Sequence, residues 1–186
     1  MSAHVRYKMD AEVSQFTVHA FASGLASVVA HNPKFAIRDF TGEAQFAPGA
    51  LAEASLHMKI KSSSLELLDE VSEYDRSEIQ RVTFHEVLET NKFPQIVYES
   101  YQIATTQLGQ NLYGATIMGN LTLHGVTNRV SFGSQVVIGD DTLRGYGNFE
   151  VKQTEYGIAV ASIAGGTLKM KDELKLAFFI VAKRQG

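Results

Sequence analysis

The stretch from Leu112 to Leu123 reads Leu-Tyr-Gly-Ala-Thr-Ile-Met-Gly-Asn-Leu-Thr-Leu. Tyr113, Ala115, Ile117, Leu121 and Leu123 stand at alternate positions in it. Successive side chains of an extended chain point to opposite faces, so the pattern describes a strand with one dry and one wet face. The same pattern spreads outward in both directions. In Arg129–Ile138, Val130, Phe132, Val136 and Ile138 share a face. In Leu143–Lys152, Leu143, Phe149 and Val151 oppose Arg144, Asn148, Glu150 and Lys152. Leu174, Leu176, Phe178 and Ile180 repeat it near the C-terminus, and Leu56, Met58 and Ile60 alternate with His57, Lys59 and Lys61. Earlier still, Phe16, Val18 and Ala20 alternate with Gln15, Thr17 and His19; Ile37–Phe46 and Gln95–Ile103 are looser segments of the same kind.

Glycines recur between these segments, which is the punctuation of an all-β chain. One stretch departs from the pattern. Ser63–Glu89 is rich in Glu, Leu and Arg. Asp75 with Glu78 three residues on predicts a capping box, and hence a short helix over Asp75–Glu86. Leu65–Glu70 reads as an extra turn or loop. A connection of this length can lie across an open end of a barrel. Many antiparallel strands with one dry face must close or sandwich to hide their edges. An eight-stranded closure encloses a space that side chains fill or that holds one small ligand, and alternation alone leaves both open.

Composition excludes several classes. At 186 residues the chain buries a full core without disulfides or metals. There is no cysteine, which removes thiolate nucleophiles and cysteine-based metal or cluster sites. The formal charge is −3 and the lysines and arginines are scattered, so no basic stripe marks a nucleic-acid partner. No apolar window is long enough for a membrane-spanning helix. The N-terminus shows no signal-peptide core, so the expected location is cytoplasmic, or periplasmic for a chain already trimmed of its signal.

Several phrases resemble the YceI-like family. Gly119-Asn-Leu-Thr-Leu-His-Gly-Val-Thr127 is similar to the family phrase G-x-L-T-x-H-G-V-T. Asn91-Lys-Phe-Pro94 with Tyr98-Glu-Ser100, Phe40-Thr-Gly42 with Phe46, and Tyr7-Lys-Met-Asp10 with Ser14 match three more. Asp75-Arg76 and Phe84 sit where the family has a charged helix ending in an aromatic. The matches run in family order from Tyr7 to Val181. The resemblance implies a lipocalin-like antiparallel barrel of eight strands, with one or two short helices in the 63–89 connection. It also implies an interior tunnel for a polyisoprenoid or a related long-chain amphiphile such as a quinone, and it allows a homodimer. Two places depart from it. Gly24–Pro33 is longer and more apolar than the usual turn. Lys152–Ile158 keeps only the aromatic-Gly pair of the family's R-x-D-F-G.

With that resemblance, the dry faces become candidate ligand linings. Phe16 and Val18 come from the first strand, and Leu56, Met58 and Ile60 from the third. Ile117, Leu121, Phe132 and Val136 come from the central hairpin, and Phe149, Phe178 and Ile180 from the last strands. His19, His31, Tyr98 and His124 are the polar candidates, with Gln15, Thr17, Ser100 and Asn148 behind them. No H-x-H, H-E-x-x-H or EF-hand spacing occurs, so no metal is expected. No G-x-S-x-G occurs, and Gly165-Gly166-Thr167 lacks the lysine of a phosphate loop. The expected function is non-covalent binding, transport or sequestration of a long-chain apolar lipid, with no other cofactor and no catalysis. Two alternatives belong to other classes. One is an enzyme using His31 or His124 as acid or base. The other is a filled barrel that binds a partner through Leu25–Ala30.

Overall fold

The computed structural model describes residues 4–23, 32–48, 50–163 and 168–186. Its strands, in chain order, begin with β1 (Val5–Met9), β2 (Gln15–His19) and β3 (Ala22–Ser23). They continue with β4 (Lys34–Ile37), β5 (Phe40–Ala47), β6 (Ala50–Lys61) and β7 (Leu65–Leu67). After a helix, α1 (Glu73–Arg81), come β8 (Gln95–Gly109), β9 (Leu112–Leu123), β10 (Val126–Ile138) and β11 (Thr142–Lys152). Last are β12 (Ser162–Ile163), β13 (Leu168–Met170) and β14 (Glu173–Gln185).

Eight antiparallel staves close into a barrel. β8, β9, β10, β11 and β14 are staves in their own right. The other three are each a pair of strands on one line: β1 with β2, β4 with β5, and β6 with β7. β14 seals the barrel against the first stave, with Tyr7 opposite Arg184 and Phe16 opposite Phe178. Between those two pairings the chain makes an excursion at Asp10–Ser14. The Ser14 hydroxyl replaces the missing ladder there, accepting from the Val181 amide at 2.9 Å and donating to the Asp10 carbonyl at 2.5 Å. Closure pairs both sides of every long strand and leaves only the three-residue β7 as an edge, which answers the aggregation risk of long exposed strands. A small sheet of β12, β13 and β3 stands apart from it.

The two barrel ends differ. At one, β5–β6, β8–β9 and β10–β11 are joined by short turns; this is the hairpin end. At the other, the loop end, the connections after β3, β7 and β11 are long. The single tight turn there is His124-Gly125, with φ of 52° and 74°. Those paired positive values are what a two-residue turn between twisted strands requires.

Three sequence expectations need correction. The helix starts before Asp75: Ser72 is its N-cap, and the Ser72 hydroxyl accepts from the Asp75 amide at 3.1 Å. Serine fits because its extended backbone frees the hydroxyl to reach an otherwise orphaned N–H. Leu65–Leu67 is strand, not loop, because it pairs with β4 and continues the third stave. Beyond Arg81 the helix widens into a π turn over Val82–Val87, ending at Glu89 with φ of 44°. The stretches Leu25–Ala30 and Gly165–Thr167 lie outside the described residues.

Candidate functional site

Inward residues from every stave surround a cavity of about 220 Å³. Among the described residues, no Asp, Glu, His, Lys or Arg lines it. The charged members of each alternating segment take the outer face, so the interior is left apolar by register alone.

An arc of aromatic rings follows the wall. Tyr98, Phe132, Phe149, Phe178, Phe16 and Phe40 succeed one another at centroid distances of 5.4, 4.8, 6.5, 6.3 and 6.2 Å. They come from β8, β10, β11, β14, β2 and β5. β9 contributes no ring at this level, because Gly119 makes room for one. A Cβ on Gly119 would lie 2.5 Å from both the Tyr98 ring and the Glu99 carbonyl. Tyr98 donates to the Ile117 and Val130 carbonyls at 3.4 and 3.3 Å, and burial pushes its hydroxyl pKa upward.

Each end of the cavity has its own closure. At the hairpin end Tyr7 stacks on Phe46 at 5.5 Å and donates to the Gly139 carbonyl. At the loop end Val87 and Leu88 enter from the π turn, and Ile158 enters after a 3-10 turn at Gln153–Tyr156. His124 holds these two plugs together from outside. Its Nε2 lies 2.6 Å from a Glu89 carboxylate oxygen, and its Nδ1 lies 3.3 Å from the Tyr156 carbonyl. The ring also packs on Phe93 at 4.3 Å.

All twelve apolar residues singled out by alternation border the cavity, from Phe16 and Val18 to Phe178 and Ile180. Of the polar candidates among the described residues, only Tyr98 does. His19 is on the outer face of β2, opposite Lys175 and Lys34. Burial and the Lys34 charge hold its pKa below the usual imidazole value. His124 is structural, bridging two loops, and His31 lies outside the described residues. Gln15 and Asn148 are exposed, and Thr17 donates to the Ala177 carbonyl. The Ser100 hydroxyl accepts from the Leu56 amide at 2.8 Å. Sequence reading missed Leu88 and Ile158, which reach the cavity from loops where no strand period exists to flag them. It also missed Thr105 on β8. A bulge between Ser100 and Gln102 shifts the phase of that strand, so Tyr98 and Ile103 both face inward.

A closed antiparallel barrel with an uncharged interior belongs to the class of barrels shaped for a hydrophobic guest. The chain belongs to the YceI-like family: the model of the YceI-like domain matches residues 7–182. Solved structures share the fold. BcnA of Burkholderia cenocepacia superposes with a TM-score of 0.71 at 20% identity, over 93% of this chain and 98% of that one. A polyisoprenoid binding domain from Saccharophagus degradans, implicated in plant cell wall breakdown, gives 0.69 at 12% identity, over 96% and 98%. The YceI protein of Campylobacter jejuni gives 0.62 at 16% identity, over 84% and 88%. No curated protein matches the sequence. No helix among the described residues is long and apolar enough to cross a membrane.

Proposed function

We propose that the barrel binds one long-chain apolar lipid in its interior, without covalent chemistry, and so carries or sequesters it. The observation that carries this reading is the interior cavity, walled by apolar side chains from all eight staves and free of ionisable groups other than Tyr98 and Tyr113 among the described residues. Burial of a chain stabilises by about 0.8 kcal/mol per methylene, so a polyisoprenoid, quinone or fatty-acyl tail gains affinity from length alone. Membership of the YceI-like family and the fold shared with a structure described as polyisoprenoid binding support the same reading. Entry is at the loop end, where Val87, Leu88 and Ile158 are carried on connections and not on staves. Of the two histidines that a catalytic reading would use, His124 does not border the cavity, and His31 lies outside the described residues.

The test is to purify the protein from its own host without detergent, extract it with organic solvent and analyse the extract by mass spectrometry. A stoichiometric isoprenoid, quinone or fatty-acyl species is expected. Clean extracts from repeated preparations, together with no uptake of added lipids, would overturn the proposal.

A further inference from the structure

The two plugs of the loop end are held very differently. The one that carries Ile158 is tied down along its length. The Gln153 amide and side chain donate to the Asp172 and Lys171 carbonyls, each at 3.0 Å. The Thr154 amide and hydroxyl donate to the Asp172 carboxylate at 2.8 and 2.6 Å. Asn128, on β10, donates to the Glu155 carbonyl at 2.7 Å.

The connection that carries Val87 and Leu88 is tied only at its two ends. Before it, the Arg76 guanidinium donates to the Leu67 and Asp69 carbonyls, both at 2.9 Å. After it, the Ser62 hydroxyl donates to the Phe93 carbonyl at 2.7 Å, and the Ser62 amide to the Pro94 carbonyl at 3.0 Å. Between these anchors lie residues 77–92. Among the described residues, one polar bond joins that stretch to the rest of the barrel, from the His124 ring to the Glu89 carboxylate. Its other hydrogen bonds and ion pairs stay within the connection: Arg81 turns to Glu78 and Glu86, Thr83 to Ile79, and Lys92 to Glu89. Neither α1 nor the π turn buries a residue. A segment with so few outward ties opens at low cost.

The one tie sits where opening would matter. Glu89 directly follows Leu88, and its left-handed backbone, φ 44°, persists only while its surroundings hold it. The His124 side chain is 12% exposed, and its other nitrogen faces the Tyr156 carbonyl of the fixed plug. The ring therefore joins a loosely held flap to a firmly held one.

We infer that residues 77–92 form a lid over the loop end, hinged near Arg76 and Phe93, and that His124 is its latch. Breaking the His124–Glu89 bond frees the lid to swing out, which withdraws Val87 and Leu88 and opens the cavity. The inference rests on the lipid-binding reading and adds what controls the rate of exchange. His124 borders no part of the cavity. A bond made equally with and without a guest sets how fast the site opens and not how tightly it holds.

His124→Asn tests the latch without breaking the turn, because Asn-Gly is a preferred pair for two positive φ values. Retinol, an isoprenoid alcohol that fluoresces more strongly out of water, is the probe, followed by stopped flow on delipidated protein. The variant should take up and release retinol about five- to tenfold faster, with Kd within about twofold. Amide exchange should quicken across residues 77–92 and not in the staves. The chain has no cysteine, so Glu89→Cys with His124→Cys can be joined by a short bis-maleimide. The joined protein should exchange retinol more slowly than the same protein left open. Unchanged rates in His124→Asn, a Kd that weakens with no gain in uptake rate, or equal exchange by the joined and open proteins would each overturn the inference alone. No uptake of retinol by the unaltered chain or any variant would remove the lipid-binding reading, and this inference with it.

Discussion

At the scale of single residues, the two glycines Gly119 and Gly133 show how differently one residue type is used. Gly119 faces inward, and a methyl group there would strike the Tyr98 ring and the Glu99 carbonyl. The ring is one of the six in the arc, and the carbonyl belongs to the neighbouring stave, so neither yields cheaply. Gly119→Ala is expected to lower stability by about 1–3 kcal/mol, the usual cost of forced overpacking. A Cβ on Gly133 meets nothing within 4 Å, so Gly133→Ala should be neutral or stabilising by up to about 1 kcal/mol, since glycine in a strand carries an entropic cost. Urea melts of both variants check the contrast, and equal destabilisation would contradict it. Tyr156 supplies a second case. It is 1% exposed, and its hydroxyl has no hydrogen-bond partner. It stands where the family phrase R-x-D-F-G has phenylalanine. Tyr156→Phe removes a buried polar atom that bonds nothing, and should raise stability by about 1 kcal/mol or more. A lower melting midpoint would mean that the hydroxyl is satisfied in solution, for instance by a buried water.

At the scale of elements, alternation made β9, β10, β11 and β14 legible, because each is a long stave whose two faces see different solvents. The dry faces of those segments became the cavity wall, with Val130 alone among their named residues packed in the core beside it. The staves that escaped clean reading are the ones whose register changes along their length. The first breaks at Asp10–Ser14, the second between Ile37 and Phe40, and β8 changes phase at its bulge. Such breaks are decided by partners far away in sequence, such as Val181 for Ser14, and leave no periodic trace. The helix start was misplaced for a related reason: Ser72 and Asp75 both offer capping chemistry, and the local sequence does not rank them. The break at Asp10 makes its own prediction. Asp10 pairs with Lys183 at 2.6 Å across the seam that closes the barrel. The hydrogen bond from Lys183 is the largest influence on Asp10 and holds its pKa below the ordinary carboxylate value. A carboxyl whose folded-state pKa is depressed contributes stability above its unfolded pKa and loses it as pH falls through the folded value. Lys183 is shifted upward by the same contact, so its share is lost only in strong alkali. Asp10→Asn should therefore melt below the unaltered protein at neutral pH, and the two should converge in acid below the carboxylate range. A gap that persists unchanged into that range would assign the effect to the turn at Asp10–Ser14 and not to the ion pair.

At the scale of the whole molecule, closure separates the work of holding the fold from the work of holding a guest. The staves satisfy one another's backbone groups around the full circle, so the interior need not be packed solid for the barrel to persist. That leaves the cavity as apolar surface not yet matched with apolar neighbours, and any guest that fills it adds to folding stability. A ligand that binds only the folded chain contributes about 2.7 kcal/mol at a free concentration one hundred times its Kd. For a chain of this size each kcal/mol moves the melting midpoint by about 2–4 °C, so a bound lipid at that concentration should raise the midpoint by about 5–11 °C. The control is a charge inside the wall. Met58 is among the lining residues, opposite Tyr98 in register. Met58→Lys places an ammonium group where no carboxylate waits, and should lower the midpoint of the delipidated protein and abolish the lipid-dependent rise. Differential scanning calorimetry of both proteins, delipidated and then reloaded, measures the two effects together. If lipid raised both midpoints equally, the binding surface would be the outside of the barrel, and the interior would be core.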